Sequence, residues 1–173
     1  VAKEKDDYQK VLEAAKVSAD EHIKFAADYP PITDELYDAI LLLTHGFLRP
    51  TVSELYALKH SDITIAEHPH RLLITVRAGK TGFRVIDTMP AAVNVYLRMK
   101  KRYPDFQKPE DYILFPQLAN RRRPKDILIA QFDYVLKRAV LKHDPYSGHK
   151  HSLYSLRHTC LCMRLVNSKG KIN

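Results

Sequence analysis

The sequence predicts an α+β fold, mostly helical, with a small three-stranded antiparallel sheet set into the middle of the chain. Three observations predict it. Apolar residues recur at helical spacing on both sides of residues 63 to 88, but within that stretch they switch to a period of two. Its two clearest strands, Leu72 to Arg77 and Phe83 to Thr88, are joined by Ala78-Gly79-Lys80-Thr81-Gly82, a strong hairpin signal. Finally, 173 residues, 45% of them apolar, suffice for one sizeable core but not for several.

Taken in order, residues 8 to 28 read as a helix on the spacing of Val11, Leu12, Ala15, Ala19, Ile23 and Ala26, ended by Tyr29-Pro30-Pro31. This first helix and its linker, residues 1 to 31, precede the main domain, 32 to 173. Thr33 caps a second helix, 34 to 46, with Asp34 and Glu35 in its first turn and Gly46 as its stop. Thr51-Val52-Ser53-Glu54 matches a capping box, so a further helix is expected to about residue 60. The sheet follows, with Ile63 and Ile65 on its first strand, a His68-Pro69-His70 turn, and Lys80 at the tip of its last turn. Pro90 opens a helix to about Arg102. Tyr103 to Asp111 is a loop, Tyr112 to Phe115 a short apolar segment, and Gln117 to Lys125 a loop carrying Arg121-Arg122-Arg123. An amphipathic helix spans about 126 to 142. Ser152 caps a last helix, reaching about Val166, with Leu153, Leu156, Cys160 and Met163 on its core face.

Composition excludes several classes. No apolar run approaches the roughly 20 residues of a membrane span. The first residues, VAKEKDDYQK, lack the apolar stretch of a secretory signal. Cys160 and Cys162 point apart on a helix, so no mutual disulfide is expected and a reducing cytoplasm is the simplest compartment. His143, His149, His151 and His158 lie close in sequence but match no zinc-binding spacing, so no metal is assigned. The net charge of +8 and the pI of about 9.4 fit a partner that is nucleic acid or an anionic membrane, and the basic amphipathic helix that a membrane would want is not seen, but charge by itself does not decide for nucleic acid.

The chemistry candidates are cations that could meet on one anion. Tyr154, Arg157 and His158 share a helix face, since residues three and four apart are neighbours there. Arg49 precedes an expected helix start, where backbone N–H groups also favour an anion. Lys80 sits in a turn whose glycines let it bend over a ligand. Each has a plainer alternative: a surface arginine, a capping glutamate at Glu54, a turn lysine. Arg121, Arg122 and Arg123 are either a solvated run or a track for a phosphate backbone.

In this order, GFLRPTVSELYALKHSDI, a Gly-Lys hairpin, a long helix and YSLRHT resemble the catalytic domain of tyrosine recombinases, the phage-integrase type, over roughly residues 33 to 166. The resemblance implies that Arg49, Lys80, Arg157 and His158 are catalytic, with Tyr154 standing where the family usually has histidine. It implies cleavage and rejoining of double-stranded DNA through a 3′-phosphotyrosine, without metal or nucleotide cofactor. Arg121, Arg122, Arg123 and His151 are then DNA contacts. The family's acidic residue usually lies three positions after the first arginine, whereas Glu54 lies five after Arg49. The family's nucleophilic tyrosine lies a few tens of residues beyond the second arginine, and no tyrosine follows Tyr154 here. A catalytic domain truncated before its nucleophile is therefore expected, monomeric and inactive alone, from a protein that is tetrameric on DNA and associated with a prokaryotic or phage nucleoid. A non-catalytic basic DNA-binding module of the same fold is the alternative, and a protein–protein adaptor a more distant one.

Overall fold

In the computed structural model the described residues are 2–79, 82–139 and 152–153. They form four α-helices, α1 (Ala2–Asp20), α2 (Asp34–Gly46), α3 (Ala92–Arg102) and α4 (Arg122–Arg138), and three strands, β1 (Ile63–Ala66), β2 (Arg71–Gly79) and β3 (Gly82–Asp87). The mostly helical α+β class is as the sequence predicts.

Helix α2 is the hub, touching α1, α3 and α4. Leu36, Ile40, Leu42 and Leu43 are essentially inaccessible along it. Its start is the expected one: Thr33 Oγ1 accepts the Glu35 backbone N–H at 3.2 Å, satisfying one of the donors a helix start leaves unpaired. Its end is also the expected one, at Gly46, and the residue that caps it is Phe47, which takes a left-handed conformation with φ 57°. Two buried carboxylates fasten α2 to its surroundings. Asp38 accepts from Arg98 at 2.7 Å and also from Arg102, both on α3. Glu35 accepts from the Tyr103 hydroxyl and, at 2.8 Å, from the Phe115 backbone N–H.

The sheet has the order β1-β2-β3, antiparallel throughout. Ile63 faces Ile74 across one ladder and Val76 faces Arg84 across the other, with a register irregularity between Val76 and Gly79. Leu72, Ile74, Val76 and Ile86 are buried against the helices. Gly82 adopts φ 87°, a backbone conformation glycine enters without penalty.

Three expected elements differ. The first helix stops at Asp20, not near residue 28. His22 is left-handed (φ 50°), and Ile23 N–H bonds back to Ser18 C=O while His22 N–H bonds to Ala19 C=O. This is a Schellman stop with histidine where glycine is usual. The helix expected from Thr51 is a set of turns with 3₁₀ pieces at Leu55–Ala57 and His60–Asp62. The third change is at α4, which starts at Arg122 rather than near 126. Asn120 Oδ1 accepts the Arg122 N–H at 3.0 Å, and Pro124 falls in the first turn, where its missing N–H costs nothing. The expected continuation to residue 142 and the helix from 152 to 166 fall outside the described residues, apart from Ser152 and Leu153. Leu153 is buried, as its place on a core face requires.

Candidate phosphate-binding site

The described part of the candidate site is built around Glu54. Its side chain is fully inaccessible, so it needs partners for both carboxylate oxygens. Oε1 accepts the Arg49 backbone N–H at 3.1 Å and Arg84 Nη2 at 2.6 Å. Oε2 accepts Arg49 Nη1 at 2.9 Å and Arg84 Nη1 at 3.3 Å. Burial alone would push this carboxyl up. The hydrogen bonds from Arg84 and Arg49 outweigh it and hold the group at about 2. The expected capping box is thus replaced: Glu54 turns to Arg49 and Arg84, and its own N–H goes to Thr51 C=O.

The loop geometry accounts for the longer spacing between Arg49 and its acid. Thr51 N–H and Leu55 N–H both bond to Arg49 C=O, at 2.9 and 3.2 Å. The chain therefore makes a wide turn over residues 50 to 54 and returns the carboxylate to the arginine. Leu48 and Leu55, both buried, anchor the two ends. Two guanidinium groups share one carboxylate, which leaves a surplus of one positive charge. Arg49 and Arg84 keep 14% and 24% of their side chains accessible.

Arg84 was not among the sequence candidates. In Phe83-Arg84-Val85-Ile86 the apolar residues Phe83 and Val85 look like the buried pair. The structure has the opposite alternation: Phe83 is 70% and Val85 54% exposed, while Ile86 is buried and Arg84 turns inward with it. The signal present in the sequence was the phase set by Ile86.

Beside this cluster, along the end of β2 that reaches past β1, lies a cleft of about 240 Å³. Its charged lining includes Glu54, Lys59, Asp62 and Arg77. Asp62 accepts from Arg77 Nε at 2.6 Å and from the Lys59 N–H at 3.0 Å. Strand β2 ends at Gly79 and β3 resumes at Gly82, flanking Lys80. Lys80, His151, Tyr154, Arg157 and His158 lie outside the described residues.

The arginine run divides. Arg121 is 9% exposed and donates to four backbone carbonyls, those of Tyr56, Leu114, Phe115 and Leu118. Its guanidinium also lies 3.9 Å from the centre of the Tyr112 ring. Arg121 is therefore corrected from a phosphate contact to an interior staple. Arg123 is half-buried, bonded to Asp28 C=O and set over the Tyr29 ring. Arg122 is exposed. Among the described residues no cluster of histidine, cysteine and acidic side chains could hold a metal, and no helix is long and apolar enough to cross a membrane.

No protein-family model matches the chain, and no curated protein matches it in sequence. Solved structures do. The crystal structure of XerA recombinase matches with a TM-score of 0.61 at 22% identity, covering 94% of this chain and 49% of its own. The site-specific recombinase XerH bound to its difH substrate, in a pre-cleavage complex, matches with a TM-score of 0.61 at 14% identity. XerH on a palindromic difH substrate, in a post-cleavage complex, gives 0.60 at 16%. Each XerH match covers 94% of this chain and 42% or 41% of the other. The fold is thus tyrosine-recombinase-like, and the chain spans less than half the length of these structures.

Proposed function

We propose that this chain is the DNA-binding catalytic domain of a site-specific tyrosine recombinase, which cuts and rejoins duplex DNA through a 3′-phosphotyrosine. The observation that carries the proposal is Arg49, held by Glu54 beside Arg84 with positive charge in surplus, in a fold that matches recombinases across 94% of the chain. In this mechanism Arg49 and Arg157 hold the non-bridging oxygens of one phosphate, most tightly when charge builds there in the transition state. Tyr154 donates a hydrogen bond to the same phosphate. A tyrosine outside residues 1 to 173 attacks phosphorus, its proton passing to His158 or His151. The P–O bond to the 5′ oxygen breaks, and Lys80 protonates that oxygen. The energy of the broken bond is kept in the phosphotyrosine, so rejoining needs no cofactor. Arg122 follows the DNA backbone, and the whole protein works as a tetramer on DNA in the nucleoid.

The test is a nicked suicide duplex incubated with the full-length protein. A covalent protein–DNA adduct is expected, falling at least about a hundredfold in rate for Arg49→Ala, since such a donor contributes on the order of 3 kcal/mol in a preorganised site. Tight duplex binding without any adduct would overturn the catalytic assignment and leave the non-catalytic DNA-binding module.

A further inference from the structure

We infer that Arg84 is a positioning residue of the phosphate site: by gripping Glu54 with two guanidinium nitrogens it fixes Arg49 and ties it to the hairpin that carries Lys80. The inference deepens the recombinase reading and rests on it for its catalytic consequence.

Hydrogen-bond saturation is the first support. A carboxylate offers about four acceptor positions. Glu54 uses them on four donors, two from Arg49 and two from Arg84. With both edges held, the carboxylate has one orientation, and so does the Arg49 Nη1 that it receives. Remove Arg84 and one acceptor position on each oxygen is left unmatched inside a fully inaccessible pocket, and the carboxylate is then held from the Arg49 side alone.

Charge balance points the same way. Glu54 alone would neutralise Arg49 one for one, and a neutralised arginine attracts a phosphate poorly. Shared between two guanidinium groups, the same carboxylate orients Arg49 and still leaves one positive charge. The third support is location. Arg84 stands two residues after Gly82 and opposite Val76 on β2. Any displacement of the β2–β3 hairpin is therefore carried through Arg84 and Glu54 to Arg49, which lies in a different part of the chain. The strands that flank Lys80 in sequence and the loop that carries Arg49 are linked by this pair.

The test uses the full-length protein with Arg84→Ala, Arg84→Lys, Glu54→Gln and the Arg84→Ala/Glu54→Gln double variant. Adduct formation on the nicked duplex should slow about a hundredfold in Arg84→Ala, the scale set by small misplacement of a catalytic group. Arg84→Lys, which keeps the charge but not the fork, should recover only part of this. In the Glu54→Gln background, Arg84→Ala should add little, because residues acting through one another are not additive. Independent full effects of the two changes would overturn the inference. A second readout needs no activity: the ¹⁵N signal of Arg49 Nε, recorded without DNA, should be sharp in the parent and broadened in Arg84→Ala. An unchanged Arg49 signal overturns the positioning role. A parent that forms no adduct overturns the recombinase reading instead, with the Arg49 signal still deciding the role of Arg84.

Discussion

Two buried glutamates respond to pH in opposite directions, and the contrast shows what each is for. Glu54 is depressed to about 2: burial works against it, and the hydrogen bonds of Arg84 and Arg49 prevail. A folded-state value below the unfolded one means that the unfolded chain takes up the proton first. The stabilisation is fully present above the ordinary carboxyl value of 4.5 and is lost as pH falls toward 2. Glu35 is raised, chiefly by burial, against the hydrogen bonds from Tyr103 and Phe115. Its contribution is fully present below 4.5 and is lost as pH rises through the folded value. Melting curves across this range should therefore separate the two. Glu54→Gln leaves two guanidinium groups around a neutral amide and should cost about 3 kcal/mol near neutrality, or about 10 °C in melting temperature. That deficit should shrink as pH is lowered to 2, where the parent loses the same charge. The deficit of Glu35→Gln should shrink as pH is raised. Parallel pH curves for the two variants would show that neither carboxylate titrates as its surroundings require.

At the scale of elements, the start of α4 separates two neighbouring arginines that look alike in the sequence. Arg121→Met should cost about 4 kcal/mol in urea unfolding, because the carbonyls of Tyr56, Leu114, Phe115 and Leu118 lose a charged donor in the interior. Arg122→Ala should stay within about 0.5 kcal/mol of the parent, yet lower the salt dependence of DNA binding by about one unit of slope. Equal unfolding costs would contradict the inward turn of Arg121. The same contrast marks what could be read in advance. The sheet, the Thr33 cap and the α3 helix were legible because alternation, capping chemistry and proline placement act within a few residues. The Schellman stop at His22 was not, since histidine gives no local sign of a left-handed residue. The segment after Thr51 was misread for a different reason: Glu54 carries a sound local capping pattern, but Arg84, thirty residues away, competes for its carboxylate and wins. Arg49 was legible as a candidate from its neighbours, whereas the partner that holds its acid comes from another element.

For the molecule as a whole, burial sharpens the charge. The chain carries a formal +8. Among the described residues, Glu35, Asp38, Glu54 and Asp62 are buried, whereas of the basic side chains only Arg121 is. Folding thus draws four carboxylates inward, three of them onto arginines that keep part of their side chains in solvent, so positive groups predominate at the surface. A duplex responds to that field by releasing condensed counterions as phosphates are neutralised, with a slope of about −0.9 in log affinity against log salt for each contact. Roughly four such contacts would weaken binding about a hundredfold between about 50 and 200 mM salt. Fluorescence anisotropy of the 173-residue chain with a labelled duplex should show this linear fall, and sedimentation should show a monomer while it does so. A flat response to salt would remove DNA as the partner and favour a protein–protein adaptor. A salt-dependent response from a stable dimer would keep the DNA and reject the expectation that the 173-residue chain is monomeric away from it.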